Sequence, residues 1–424
     1  MKVPFLYLLA LVVLAGGARA GDPPPTELAA LLFEARDASP DLRAAEARTR
    51  AAETVPDQLE ALPDPRLTAS YTNDGLSGFT LGSSEFSNID VRWEQDVPFR
   101  AARAGAADVA RADLDVVRRT AMTLQARLHA RVIVLYADLW RADRMDSLLA
   151  RTHELLATAL ESERVRYEAG QGTQRSVLRA QTELRRIDLR REEWTRRRRG
   201  AEIALDETLG RTDTGAYGPA HDLPGLVPGS DPGAAARTAG DASPETGEAR
   251  AREARADAAA ESARRASRAE FSWMAGYQFR GGLDPMVMGG LGVRLPVRKD
   301  RRQGQAIAQA DAEAEAARLD LEASRNAVLA QARDLASEVD SLDTRLRLYR
   351  DAVLPEAYAT VEAARAALSV GRIEMNILLD DTTRLLALEE DSVDLEARRV
   401  QALALLESLT GASLLDLASV EVAR

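Results

Sequence analysis

From about residue 99 to about residue 168 the chain has no proline and a single glycine, Gly105. Within it, Leu114, Val117, Ala121, Leu124, Leu128, Val132, Leu135 and Leu139 recur in steps of three and four, with one stutter near Leu128. That spacing is a coiled-coil seam. A helix of roughly 70 residues spans about 105 Å, far beyond what a compact domain needs. The composition agrees with an elongated helical molecule. Aromatic residues make up 4% of the chain, charged residues 29%, and much of the apolar content is alanine.

The rod is bounded on both sides. It ends in "RYEAGQGTQRSVLRAQTELRR", where Gly170 and Gly172 break the helix and Thr173 can cap the next. A return helix is predicted over 173–209, stopping at Gly210, and a Gly/Pro/Asp-rich linker over 211–240. Upstream, helices are predicted over 27–37 and 40–61, with Thr26 and Ser39 as N-caps and Pro40 in a first turn. Between them and the rod the period changes from helical to two. Leu67, Ala69 and Tyr71 alternate with polar residues, and so do Ile89, Val91, Trp93 and Val97. These read as strands at about 66–73 and 88–97, each with one apolar and one polar face.

The whole plan then repeats. "DASPD" at 37–41 returns as "DASPE" at 241–245, and the residues that follow correspond at nearly constant offset. Pro40 matches Pro244, Tyr71 matches Tyr277, Pro98 matches Pro296, Gly170 matches Gly371, and Glu207 matches Glu407. The chain is an internal duplication: a first repeat over 21–210 and a second over 241–411, followed by a tail over 412–424. The second repeat has strands at about 271–280 and 286–297, a long helix at about 299–369 and a return helix over 373–410.

The N-terminus has the form of an export signal. Lys2 precedes the apolar run from Phe5 to Ala15, and "ARA" at 18–20 is a cleavage site, which makes 1–20 a signal peptide. There is no cysteine, hence no disulfide framework and no site for an N-terminal lipid anchor. No other apolar run is long enough for a membrane helix. Any membrane span must therefore be made of strands. The net charge of −11 argues against a nucleic-acid partner.

Four strands per chain cannot close a membrane barrel, and an open apolar sheet would leave unpaired edges in lipid. Three copies supply twelve strands, and a cyclic trimer closes the sheet. The fold class is mainly α with a small β part: duplicated long α-helical hairpins, plus four strands per chain that contribute to a trimeric twelve-stranded barrel.

The order of elements, the duplication, and the two turn motifs "RYEAGQGTQRSVLRAQTELRR" and "LSVGRIEMNILLDDTTRLLALEED" resemble the TolC family of outer-membrane efflux channels. "LPDPRL", "EQDVPF" and "RDAVLPEAYATVEAARAALSVG" are more similar to its heavy-metal, CzcC/CusC-like branch. The resemblance implies a homotrimer anchored in outer-membrane lipid, with a periplasmic α-helical tunnel. The tunnel would dock on a periplasmic adaptor and an inner-membrane RND-type pump, exporting heavy-metal cations passively and without a cofactor. Drug or type I protein secretion by the same channel is one alternative. A soluble periplasmic coiled-coil scaffold is another.

The resemblance also implies site residues. The family's periplasmic gate positions, counted from Gly371, fall on Ile377 and Asp380, with Asp381 beside it, so Asp380 and Asp381 are the candidate gate acids. The adaptor-docking tips would be Tyr167, Gly170, Gly172, Ser176, Val177 and Leu178 on one hairpin, and Gly371, Met375, Leu378 and Leu379 on the other. Trp93, Trp273, Tyr277 and Phe279 would face lipid. His129, His153 and His221 are scattered without ligand spacing, so no metal site is expected. No catalytic constellation stands out, and an enzyme is not expected.

Overall fold

The computed structural model of the chain describes residues 26–417 except 77, 214–216, 267–269, 296–297 and 299. The expected signal peptide, Pro296 and the end of the 412–424 tail lie outside the described residues. The elements of the first repeat are α1 (Leu28–Ala38), α2 (Pro40–Glu53), α3 (Val55–Glu60), β1 (Arg66–Thr72), β2 (Asn88–Val97), α4 (Arg100–Glu168) and α5 (Gln174–Leu209). A short β3 (Gly225–Leu226) follows, then α6 (Pro232–Ala242), α7 (Pro244–Arg265), β4 (Glu270–Arg280), β5 (Leu283–Arg294) and α8 (Gln303–Leu348). A π-helical turn (Tyr349–Val353) leads into α9 (Leu354–Ser369), α10 (Met375–Thr410) and β6 (Leu415–Asp416). The fold is mainly α with a small β part, built from duplicated long helical hairpins.

Glycines and prolines set the punctuation. Gly210 and Gly411 adopt the left-handed conformation that closes α5 and α10 (φ +72° and +67°). Pro40 and Pro244 occupy the first turn of α2 and α7, where a missing N–H costs nothing. Ser243 caps α7 by accepting from the Glu245 N–H at 3.2 Å, whereas Ser39 makes no cap bond.

Three differences from the sequence reading have physical causes. The helix expected over 40–61 breaks at Thr54, just ahead of Pro56. The second rod, expected to be continuous, passes through the π-helical turn immediately before Pro355. That proline has no N–H, and its ring would collide with the carbonyl four residues back; a wider turn relieves both problems. The expected linker holds β3 and most of α6. Asp231 starts α6 by accepting from the Gly233 N–H at 2.8 Å, with Pro232 in its first turn.

The strands form one antiparallel sheet in the order β1-β2-β4-β5, so the two repeats meet at the β2–β4 pair. Val91 stands opposite both Ala69 and Tyr277, and Tyr277 opposite Val287. Two apolar cores hold the helices together. One joins Ile133, Tyr136 and Leu139 of α4 to Leu403 and Leu406 of α10, with α1, α6 and the β3–β6 pair around them. The second fills the hairpins beyond, between Leu148, Leu149 and Leu156 of α4, Ile187 of α5, Val361 of α9 and Leu386 of α10.

Candidate functional site

At the first hairpin tip, Gly170 takes a left-handed conformation (φ +74°) and the N–H groups of Gln171 and Gly172 return to the Arg166 carbonyl at 2.8 and 3.1 Å. Gly172 is needed for space, since a Cβ there would lie 3.0 Å from the Tyr167 nitrogen. Thr173 caps α5 by accepting from the Ser176 N–H at 3.3 Å. The Ser176 hydroxyl donates to the buried Glu163 carboxylate at 2.7 Å. Burying a carboxylate costs several kcal/mol without partners; here Ser176 and Arg166, the latter at 3.9 Å, supply them. No local sequence pattern singles out Glu163, because its partner arrives from the return helix.

At the second tip Gly371 plays the same part (φ +71°), and the Arg372 N–H reaches the Ala367 carbonyl at 2.9 Å. The candidate docking residues divide by burial. Tyr167, Leu178, Gly170 and Gly371 are exposed, and Val177 and Gly172 are half-buried. Ser176, Met375, Leu378 and Leu379 are buried, the last three inside the second core. Those three fix the shape of the turn and are not free surface. Between the tips lies a groove of about 1070 Å³ with Val165, Arg166, Leu368 and Gly371 on its walls.

Of the candidate gate acids, Asp380 is exposed and Asp381 half-buried. Asp380 accepts a charge-assisted hydrogen bond from Arg179 of α5 at 2.5 Å. A second pair, Arg190 with Glu390, joins the same two helices. Ile377 is exposed one turn before Asp380, on the same side of α10.

All four candidate lipid-facing residues lie on one side of the sheet. The register lines up Leu67, Ala69 and Tyr71 with Ile89, Val91 and Trp93, then with Phe271, Trp273, Tyr277 and Phe279, then with Val287, Leu291 and Val293. This is a continuous apolar face that the chain itself leaves open: Leu291 is 88% exposed, Val287 81% and Leu67 73%. Trp93 and Trp273 meet edge to face at 5.1 Å. The opposite side carries Ser70, Thr68, Asp90, Arg92, Glu94 and Gln278. None of the described helices is long and apolar enough to cross a membrane.

The three histidines lie apart. His129 is 4.0 Å from Glu407, and His153 is 3.3 Å from Asp188. Among the described residues no group of His, Cys, Asp or Glu is placed to hold a metal ion.

Long paired helical hairpins beneath a small sheet form a fold shared with solved outer-membrane channels. The chain is similar in structure to CusC, which forms a transmembrane channel (16% identity, TM-score 0.76, 91% of this chain and 92% of that one). It is equally similar to the outer membrane protein VceC of Vibrio cholerae (17%, 0.75, 91% and 96%). The CmeC outer membrane channel of Campylobacter jejuni is a further match (11%, 0.77, 99% and 96%). Residues 31–211 match the sequence profile of the family described as outer membrane efflux protein. That match covers less than half of the chain, and the solved structures share its fold. No curated protein matches the chain by sequence.

Proposed function

We propose that this chain is the outer-membrane channel of a tripartite efflux system, a passive exit duct formed by three copies. The observation that carries the reading is the open apolar face across all four strands. In water it is a large unfavourable exposure. In lipid it is the outer wall of a barrel, and the unpaired outer edges of β1 and β5 find partners in neighbouring copies. The long hairpins then extend into the periplasm as a tunnel.

The exposed tip residues Tyr167, Leu178, Gly170 and Gly371 form the surface that meets a periplasmic adaptor, which couples the duct to an inner-membrane RND-type pump. Asp380 and Asp381 form the periplasmic gate. Heavy-metal cations are the exported cargo, a reading supported by the CzcC/CusC-like phrases of the sequence; the fold is shared alike by CusC, OprN and CmeC. Export follows signal-peptide cleavage, and the barrel anchors the channel in the outer membrane.

Fractionation tests the channel. A heat-modifiable trimer in outer membranes is expected; a soluble monomer overturns the reading in favour of a coiled-coil scaffold. Deletion in the source cell tests the cargo. Sensitivity to metal cations is expected, and sensitivity to drugs alone overturns the metal assignment.

A further inference from the structure

The connection between β1 and β2, residues 73–87, carries three large apolar side chains that the chain leaves open: Leu76, Phe79 and Phe86. A loop past the end of a sheet is ordinarily hydrated and polar. This one also turns its polar side chains onto its own backbone. The Asn73 amide donates to the Gly75 and Gly78 carbonyls at 2.8 and 2.7 Å and accepts from the Thr80 N–H at 3.0 Å. The Asp74 N–H donates to the Thr80 and Ser87 hydroxyls at 3.1 and 2.9 Å. Water would satisfy these groups in a hydrated loop, whereas a loop beside hydrocarbon must satisfy them internally.

Two contacts place the loop. Phe79 stacks on Tyr71, with ring centroids 5.0 Å apart and planes 22° apart. Tyr71 stands on the apolar face, in the same row as Ile89 and Phe279. Phe79 therefore continues that face past its last row. At the other side Gly82 rests on the β4–β5 turn, where a Cβ on it would lie 3.1 Å from the Gly282 nitrogen. Height gives this placement a physical role. The apolar positions of β2 run from Ile89 to Val97, about 26 Å of strand and about 20 Å of height at a tilt of about 40°. The apolar band of an outer-membrane barrel is about 25 Å tall. Side chains beyond the strand ends must make up the difference.

We propose that Phe79 and Leu76 dip into the acyl chains of the outer leaflet, while the loop backbone, closed on itself by Asn73, lies at headgroup level. The membrane setting rests on the channel reading above. The leaflet follows from topology: α3 and α4 join the sheet at its opposite end, so the loop faces away from the helical hairpins. Acyl chains are the occupant because the exposed rings and Leu76 are continuous with the face already assigned to lipid, and Phe79 is joined to that face through Tyr71.

The chain has no cysteine, so single-cysteine variants label cleanly with a nitroxide. Leu76→Cys and Phe79→Cys in the full-length protein are reconstituted into phosphatidylethanolamine/phosphatidylglycerol vesicles. Collision with oxygen, which concentrates in lipid, is compared with collision with a water-soluble nickel chelate. Leu291→Cys, on the apolar face of β5, reports lipid, and Glu168→Cys, exposed at the first hairpin tip, reports water. The oxygen-to-nickel ratio at 76 and 79 is expected to lie severalfold above that at 168 and to approach that at 291. Adding Asn73→Ala to Phe79→Cys should lower the ratio at 79; an unchanged ratio removes Asn73 as the residue that positions the loop. Ratios at 76 and 79 that match 168 while 291 remains in lipid overturn the loop contact and leave the channel standing. A nickel-accessible 291 overturns the channel reading itself.

Discussion

Arg179 and Asp380 meet at 2.5 Å between the return helices of the two repeats, and each is the ninth residue after its turn glycine, Gly170 or Gly371. The duplication has placed opposite charges at equivalent positions, and the fold brings them together. Both side chains are substantially exposed, so the pair contributes about 1 kcal/mol or less to overall stability. Its effect should instead be on the width of the tunnel tip. Asp380→Ala and Arg179→Ala should each raise single-channel conductance in planar bilayers with little change in melting temperature. The double variant should be no more open than either single one, because both remove the same interaction. Unchanged conductance and cation block in Asp380→Ala would remove Asp380 from the gate.

The buried Glu163 makes a separate claim on the first tip. Glu163→Ala leaves the Ser176 hydroxyl without its carboxylate and Arg166 without its partner. Loss of a buried, charge-assisted contact of this kind costs about 1–3 kcal/mol. Because the contact is local to the turn, hydrogen exchange should accelerate around 163–178 while the α4–α10 core remains protected. Uniform protection across the tip would show that the turn is held by its glycines and cap alone.

Much of this architecture is legible in the sequence because it depends on period. Seams of three and four mark the rods, alternation marks the strands, and Gly170 and Gly371 mark the reversals. What escapes is set by distant partners. Met375, Leu378 and Leu379 look like surface at a turn, yet α4 and α9 bury them. The Ala- and Gly-rich run of α6 has too few large apolar residues to signal a helix, and only Asp231–Pro232 hints at its start. The alternation in β4 and β5 identifies the apolar face, but Met274, Met286 and Met288 sit on the other one. Their partners across the β4–β5 pair, Gly276, Gly290 and Gln278, depend on strand register.

The two sides of the sheet should respond differently to the same charge. Trp273→Lys places an ammonium on the face assigned to lipid, at a cost of about 2–4 kcal/mol near the bilayer midplane. It should lower the yield of heat-modifiable trimer and of membrane-inserted protein. Ser70→Lys puts the same group on the polar side of β1 and should insert normally. Equal tolerance of both would contradict the assignment of the apolar face to lipid.

The contact between α4 and α10 should carry a pH dependence centred on His129. Burial holds its imidazole below the ordinary histidine value, and the opposing pull of Glu407, 4.0 Å away, is smaller. Glu407 is not free to turn fully toward it, since its other oxygen accepts the N–H groups of Leu414 and Leu415 at 3.1 and 3.2 Å. A depressed folded-state value means that the neutral ring is favoured in the fold. The associated stability is present above the unfolded value of about 6.5 and declines as pH falls through the lower folded value. Burial also raises the carboxyls of Glu202 and Glu396, so the comparison that isolates the histidine is with His129→Gln, which keeps the volume and cannot be protonated. Between pH 7.5 and pH 5 the wild-type protein should lose more of its melting temperature than His129→Gln does. Parallel curves for the two proteins would mean that the imidazole stays neutral across this range or gains enough from Glu407 to offset its burial.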